Sequence, residues 1–262
     1  MTDYLYHYTN LEALKLILQN KTFRLSSLNR MDDLEEGETE DFQKLGRFIY
    51  ISSWTNNPNE SLLLWNYSRG NEGVRLRMKP QIFKEENIDS KINIHGRTVE
   101  VKEVFNLGLL DIMKKKNISF VPPRAELIRV TYTNLERLLK PTVHKIFPGG
   151  DVEIQTENLG IFKRIEWQDQ QEWRYRLNSM PLSINEVVLS RYPNGHKILL
   201  DKLKTREDLG YVDIPLKDGV FEDLEILCSP YMSEKSKGVL NEFLALHAPS
   251  ATIKTSGMRI RF

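Results

Sequence analysis

This chain of 262 residues has a single cysteine, Cys228, so an internal disulfide and a multi-cysteine zinc site are both excluded. It has no apolar run near the roughly 18 residues that would cross a bilayer, and no basic-then-apolar leader opens it. Charge of one sign is also missing. The formal net charge is +1, so nothing global draws the chain to nucleic acid or membrane, and only a local patch could do so. His-Glu-x-x-His, P-loop and Gly-x-Ser-x-Gly signatures are absent, and His95, His144, His196 and His247 show no metal-ligand spacing. There is no internal repeat, low-complexity segment or inter-domain linker. The composition, 40% hydrophobic and 28% charged, is ordinary for a globular protein. The expectation is one soluble domain spanning 1–262, held in a reducing cytoplasm.

Tyr4 to Thr9 has strand composition, and Asn10 is a good N-cap for a helix carrying Leu11, Leu14, Ile17 and Leu18 on one face and ending near Asn20. Phe23-Arg24-Leu25 reads as a short strand, residues 29–45 as an exposed acidic loop running into a short helix, and Phe48 to Trp54 as an apolar strand. Ser61 to Tyr67 reads as a helical turn presenting Trp65. Gly73 to Met78 alternates as a half-buried strand does. Further on, a helix is expected over 104–117, alternation at Ile128, Val130 and Tyr132, a helical turn at Leu135–Leu139 and a flexible loop over 146–160. Strands follow at Trp173–Leu177, Glu186–Leu189 and Leu224–Cys228, then a helix over 233–247, a strand about Ile253 and alternation from Met258 to Phe262. Many short strands with segregated helices and no regular βαβ rhythm predict an α+β fold.

Two stretches have the residue types that chemistry needs. Leu5-Tyr6-His7-Tyr8-Thr9 places a histidine at the end of the first strand, and Trp167 to Arg174 contains Gln170-Gln171-Glu172 in an aromatic setting. If the later strand included both, Gln170 and Glu172 would stand about 7 Å apart on a polar face shared with Arg174 and Arg176, opposite Trp173, Tyr175 and Leu177. Taken alone, His7 reads as a strand histidine satisfied by a backbone partner, and Glu172 as part of a solvated Glu-Arg face.

The intervening order supplies a resemblance. His7-Tyr8-Thr9, the helix Leu11–Leu18, Arg24 on a short strand, Gly46 before Ile49-Tyr50-Ile51, Ser61 leading to Trp65 and Tyr67, and the strand Gly73–Met78 follow one another in that order. In this order they resemble the catalytic core of the ADP-ribosyltransferases, in the diphtheria-toxin and poly-ADP-ribose-polymerase branch. The whole chain also resembles a bacterial domain family of unknown function with Tyr-His-Tyr-Thr, Met-Asn-Asp-Pro-x-Glu and Trp-x-x-Glu-x-Glu-x-Arg stretches. It departs from these patterns at Tyr8, where the polymerases have glycine, at Leu34, where the loop has proline, and at Gln170, where the late motif has glutamate.

The resemblance implies a split β-sandwich of two antiparallel or mixed sheets with flanking helices. It also implies NAD as substrate, and an enzyme of toxin or phage-defence type acting on a protein or nucleic-acid acceptor. Under it, Glu172 stabilises an oxocarbenium-like transition state through the ribose, and His7, with Tyr8 and Thr9 beside it, holds the same ribose. Tyr50 and Tyr67 or Trp65 stack on nicotinamide, Ser61 bonds its carboxamide, Arg24 meets the pyrophosphate, and Gln170 orients the acceptor or a water. Three alternatives remain. Tyr50, Trp65 and Tyr67 can equally be packing residues. A transferase-like module can have kept the cleft and lost turnover. A nucleic-acid-processing protein would use Arg75, Arg77 and Lys114–Lys116.

Overall fold

In a computed structural model of the protein, all residues are described except 1, 69–71, 95–96, 109–116, 121, 148–151, 184–185, 187–194 and 261–262. The chain is α+β. Ten strands form the main sheet: β1 (Leu5–Asn10), β2 (Thr22–Ser27), β3 (Ile49–Thr55), β4 (Gly73–Met78), β5 (Ser119–Phe120), β6 (Glu126–Arg129), β7 (Glu172–Met180), β8 (Tyr211–Pro215), β9 (Glu225–Cys228) and β10 (Thr252–Thr255). Their order is β6-β7-β3-β1-β4-β9-β10, antiparallel except for the parallel β9–β10 pair.

The sheet forks at β3. Along one edge β3 pairs continuously with β7, from Thr55↔Glu172 to Ile49↔Asn178. Along the other edge it pairs with β1 only at Tyr6↔Thr55 and with β2 only at Ile51↔Ser26 and Tyr50↔Ser27. Between those points Ser52, Ser53 and Trp54 have no strand partner on that side. The limb β2–β8 diverges from the limb β1–β4–β9–β10 there.

Local sequence accounts for the first limb. Asn10 has extended backbone geometry, and its Oδ1 accepts the Ala13 N–H at 2.8 Å, capping α1 (Leu11–Asn20). Leu11, Leu14, Ile17 and Leu18 recur at helical spacing and bury one face, each contributing about 1.5–3 kcal/mol of apolar burial. Lys21, in the left-handed region, ends the helix and turns the chain into β2. A short helix α2 (Leu62–Tyr67) and, after the described helices Glu136–Leu139 and Gly195–Thr205, a long one (Glu234–His247) complete the helical set used below. β4 lies between β1 and β9 and is buried on both faces, with only Arg77 part-exposed. It is therefore a central strand, where alternation predicted a half-buried one.

Two apolar clusters sit on opposite faces of β3. Tyr50 and Trp54 point into the larger, with Tyr175 and Leu177 of β7. Ile49 and Ile51 point into the smaller, with Leu28, Leu45, Phe48 and Leu159. On the second face Ile51, Ser53 and Thr55 lie opposite Arg176, Arg174 and Glu172. The polar face of β7 is thus covered by a layer drawn from residues 28–48 and 157–164.

That covering layer differs from the expected exposed loop. It contains short 3₁₀ turns at Leu28–Arg30 and Leu45–Phe48 and a small ribbon of Glu38–Thr39 with Gln43–Lys44. Gly37 takes φ +78°, and a Cβ there would stand 2.6 Å from the Gly46 Cα, while Gly46 N–H donates to Gly37 O at 2.8 Å. This close approach reverses the chain immediately after Glu36 and directs that side chain inward. Among the other expectations, Val104 and Phe105 end a strand ribbon (Glu86–Ile94 with Arg97–Phe105), and 109–116 lie outside the described residues. His144–Ile146 pairs with Val152–Ile154 inside the expected loop. Glu186 is helical and Val187–Leu189 lie outside the described residues; 256–260 have no regular structure, and the last two residues also lie outside.

Candidate functional site

A cavity of about 210 Å³ opens at the fork, walled by Tyr6, Tyr8, Trp54, Leu64, Tyr67 and Trp167, with Asp32, Glu36, Lys163, Gln170, Glu172 and Arg174 also lining it. A second, of about 330 Å³, adjoins it, and His7, Met31 and Ser53 border both. Of the residues singled out from the sequence, His7, Tyr8, Tyr67, Gln170 and Glu172 line the first cavity, and Thr9 and Arg24 the second.

His7 sits where β1 and β3 part. Its Nδ1 is 2.8 Å from Ser53 O, and since a carbonyl only accepts, Nδ1 carries the proton. Nε2 is then an acceptor with no hydrogen-bond partner among the described residues. The ring lies between Phe23 and Trp54, with centroids 5.0 and 4.9 Å away. Burial there lowers its pKa to about 4, against a smaller opposing effect of the Ser53 bond, so the imidazole is neutral at pH 7. The structural role expected of a strand histidine is thus filled by Nδ1, and Nε2 is left for a ligand.

Glu172 belongs to a buried network. Arg174, 0% exposed, grips it in a fork, Nε to Oε1 at 2.8 Å and Nη2 to Oε2 at 3.0 Å. Arg174 Nη1 donates to Glu36 Oε1 and, at 2.9 Å, to Gly160 O. Lys163 Nζ donates to Gln170 Oε1 at 2.9 Å and Glu172 Oε2 at 3.3 Å, and lies 3.8 Å from Glu36 Oε2. The expected solvated Glu-Arg face is corrected by this arrangement. Arg174 and Arg176 are buried because they hold the backbone carbonyls of the turn 157–160 under the sheet.

The two carboxyls of the network are driven apart. Burial would raise Glu172, but the charges of Arg174 and Lys163, with hydrogen bonds from Arg174 and Ser53, outweigh it and bring the pKa to about 2. For Glu36 burial dominates over the same two cations, and the neighbouring Glu172 charge adds to it, so its pKa is raised.

Gln170 is not on β7. It ends the 3₁₀ turn Ile165–Gln170, and Gln171 takes φ 45° before the strand begins. The amide still reaches the site, accepting from Lys163 and donating to the Tyr67 hydroxyl at 3.1 Å. Tyr67 is 38% exposed, so it has an open ring face at the cavity.

Three residues do not reach the cleft. Tyr50 is fully buried beyond the fork, where β2 and β7 flank it on both sides, and its hydroxyl accepts the Leu209 N–H at 3.0 Å. Trp65 is buried behind Tyr8, its Nε1 bonded to Glu60 Oε2 at 3.1 Å. Ser61 caps α2, its Oγ accepting Leu64 N–H at 3.4 Å, and its own N–H goes to the Tyr8 hydroxyl at 3.2 Å. For Tyr50 and Trp65 the packing alternative is the one observed. The aromatic walls at the fork are Tyr6, Tyr8, Tyr67 and two rings not singled out from sequence, Trp54 and Trp167. Lys163 Nζ stands 4.5 Å from the Trp167 ring centroid.

Arg24 borders the second cavity, but its Nε–Nη2 edge already holds Asp213 at 2.8 and 3.0 Å and its guanidinium lies over the Tyr211 ring. Arg75, considered for a basic surface, is buried beneath Tyr6 and Tyr8 and donates to Pro58 O at 2.9 Å. Arg77 pairs with Glu225, and Lys114–Lys116 lie outside the described residues.

The chain matches no family model, no curated protein and no solved structure. The reading of the site therefore rests on its own geometry. Among the described residues no group of three or more His, Cys, Asp or Glu is placed to hold a metal ion, and no helix is long and apolar enough to cross a membrane. Lys163, Glu36 and Ser53, with the Trp54 and Trp167 rings, are site residues that sequence reasoning missed. Of the first three only Glu36 had a signal, an acid immediately before a glycine in the loop 31–37.

Proposed function

We propose that the chain is an NAD-dependent ADP-ribosyltransferase, with the forked sheet as the counterpart of the split sandwich of that family. The observation that carries the reading is the convergence on one aromatic-walled cavity of a neutral His7 with an open Nε2 and an ionised Glu172.

Breaking the bond between nicotinamide and ribose builds positive charge on the sugar, and a carboxylate beside the ribose stabilises that charge. Glu172 supplies the carboxylate, kept ionised by Arg174 and Lys163. His7 Nε2 accepts from a ribose hydroxyl. Tyr67 and Trp167, both on the cavity wall, offer stacking faces for the nicotinamide ring. Three carboxyls (Asp32, Glu36 and Glu172) against two cations suit the positively charged pyridinium better than a phosphate. The adjoining cavity, with Thr9 and the outer face of Arg24, takes the rest of the dinucleotide, and the two cavities together reach the size usual for ligand sites.

One observation favours a second reading, a binding module without turnover: both Glu172 oxygens are already engaged by Arg174 and Lys163. The discriminating experiment is incubation with adenylate-labelled NAD and a cell lysate. Transferase activity yields free nicotinamide together with label on protein or nucleic acid. NAD binding with neither product selects the module.

A further inference from the structure

We propose that Glu36 is the second working carboxylate of the cleft, and that it takes the proton of the group that attacks the ribose. The proposal rests on the transferase reading and adds to it the acceptor side of the reaction.

Glu36 comes from the covering layer, far in sequence from Lys163, Gln170, Glu172 and Arg174. Gly37 and Gly46, in backbone contact, put it there. Its side chain is 1% exposed and its residue lines the cavity. Oε1 is held by Arg174. Oε2 makes no hydrogen bond and has only the Lys163 ammonium nearby, at 3.8 Å. A buried carboxylate oxygen without a partner is costly in a structural role, because a lone pair that water would have satisfied is left empty. The vacant oxygen is itself closed off from water and belongs to a residue of the cleft wall, so a ligand O–H or N–H reaches it by displacing the side chains that cover it.

The two acids are spaced for a shared task. Lys163 Nζ lies 3.3 Å from Glu172 Oε2 and 3.8 Å from Glu36 Oε2, so these oxygens are no more than about 7 Å apart. At such separations one carboxyl can serve the anomeric carbon while the other serves the attacking group. Their environments also divide the roles. Glu172 stays ionised, and Glu36 is held upward in pKa by burial, which suits a group that must gain a proton. The charged and titratable groups around Glu36 are Arg174 and Glu172 of β7, Lys163, and the Tyr132 hydroxyl, which accepts the Glu172 N–H.

With water as the attacking group the step balances as follows. The ribose C1′–N bond breaks and its electron pair stays on nicotinamide nitrogen. A water oxygen lone pair forms the new C1′–O bond, and the water proton passes to Glu36 Oε2. The products are ADP-ribose and nicotinamide, with the proton released from Glu36 to solvent.

Azide separates this role from a structural one, since it attacks as an anion and has no proton to surrender. With NAD and water alone, Glu36→Gln is expected to release nicotinamide about 100-fold or more slowly than the native protein. Excess azide is expected to restore release in Glu36→Gln, giving ADP-ribosyl azide, and to leave Glu172→Gln unrescued. In the native protein, hydrolysis is expected to fall on the acid side as Glu36 protonates. Azide above the pKa of hydrazoic acid removes that acid limb, and this profile decides the matter even if Glu36→Gln does not fold. Hydrolysis by Glu36→Gln within about threefold of native, or an acid limb that persists with azide, overturns the proposal alone. Nicotinamide release by the native protein only when the lysate is added, with neither water nor azide serving as nucleophile, also overturns the proposal alone, and no release under any of the three conditions overturns the transferase reading with it.

Discussion

Replacing Arg174 by methionine tests whether the charge network holds the covering layer on the sheet. The side chain is fully buried and makes four contacts: two with Glu172 at 2.8 and 3.0 Å, one with Glu36 and one with Gly160 O at 2.9 Å. Methionine fills much of the volume but leaves two buried carboxyls facing Lys163 alone. Removing one partner of a buried ion pair costs about 3–5 kcal/mol, because the other partner stays desolvated and unpaired. That is a large share of the roughly 5–15 kcal/mol that holds a typical domain together. The assay is urea unfolding at pH 7 and pH 5, read as the midpoint at constant slope.

The pH arm carries the sign. In the native protein Glu172 has a pKa of about 2, below its unfolded value, so its contribution is present above the unfolded pKa and is lost only as pH falls toward 2. It is therefore flat between pH 7 and 5. Without Arg174, burial is opposed by Lys163 and the Ser53 hydrogen bond alone, and the Glu172 pKa is expected to rise toward that of Glu36. Both then bind protons more tightly folded than unfolded, so the variant regains stability on acidification by more than the native protein does. A loss under about 1 kcal/mol at pH 7, with the native pH response, would refute the reasoning.

Two further outcomes follow from the geometry. By NMR His7 should remain the neutral Nδ1–H tautomer at pH 7 and titrate at about 4; its stabilising contribution, up to about 3 kcal/mol, is present above about pH 6.5 and is lost as pH falls toward 4, whereas titration near 6.5 contradicts its enclosure between Phe23 and Trp54. Gly37→Ala should cost more than the about 1–2 kcal/mol of a left-handed alanine alone, read as a lower urea midpoint at constant slope, since its Cβ meets the Gly46 Cα at 2.6 Å, and an unchanged midpoint would show that the loop does not depend on this approach.

The parts of the fold that depend on local periodicity were legible in the chain. Asn10 with Leu11, Leu14, Ile17 and Leu18 specifies a capped amphipathic helix, and Ser233 does the same for the helix Glu234–His247. Strand positions of His7 and Glu172 were likewise legible, whereas their meeting at one cavity was implied only by the resemblance. What was not legible depends on layers. Glu172, Arg174 and Arg176 have the pattern of a solvated face, and nothing local says that the segment 157–164 will close over them and trade its carbonyls for water. Tyr50 looked like a ring wall, but it lies on β3 beyond the fork, flanked by Ser27 of β2 and Leu177 of β7, and packs into the core with Tyr175. Gln170 was assigned to the strand because Gln171, at φ 45°, breaks the extension without a glycine to announce it. Lys163 had no local signal, since its role comes from Gln170, Glu172 and Glu36 arriving around it.

The central claim is that Glu172 stabilises the sugar cation formed from NAD in this cleft. Free nicotinamide released by the native protein and by Glu172→Gln, at saturating NAD and with folding checked by circular dichroism, tests it directly. The account predicts release by the native protein and a fall of about 100-fold or more in the variant. Equal release from both, or none from the native protein, would contradict it.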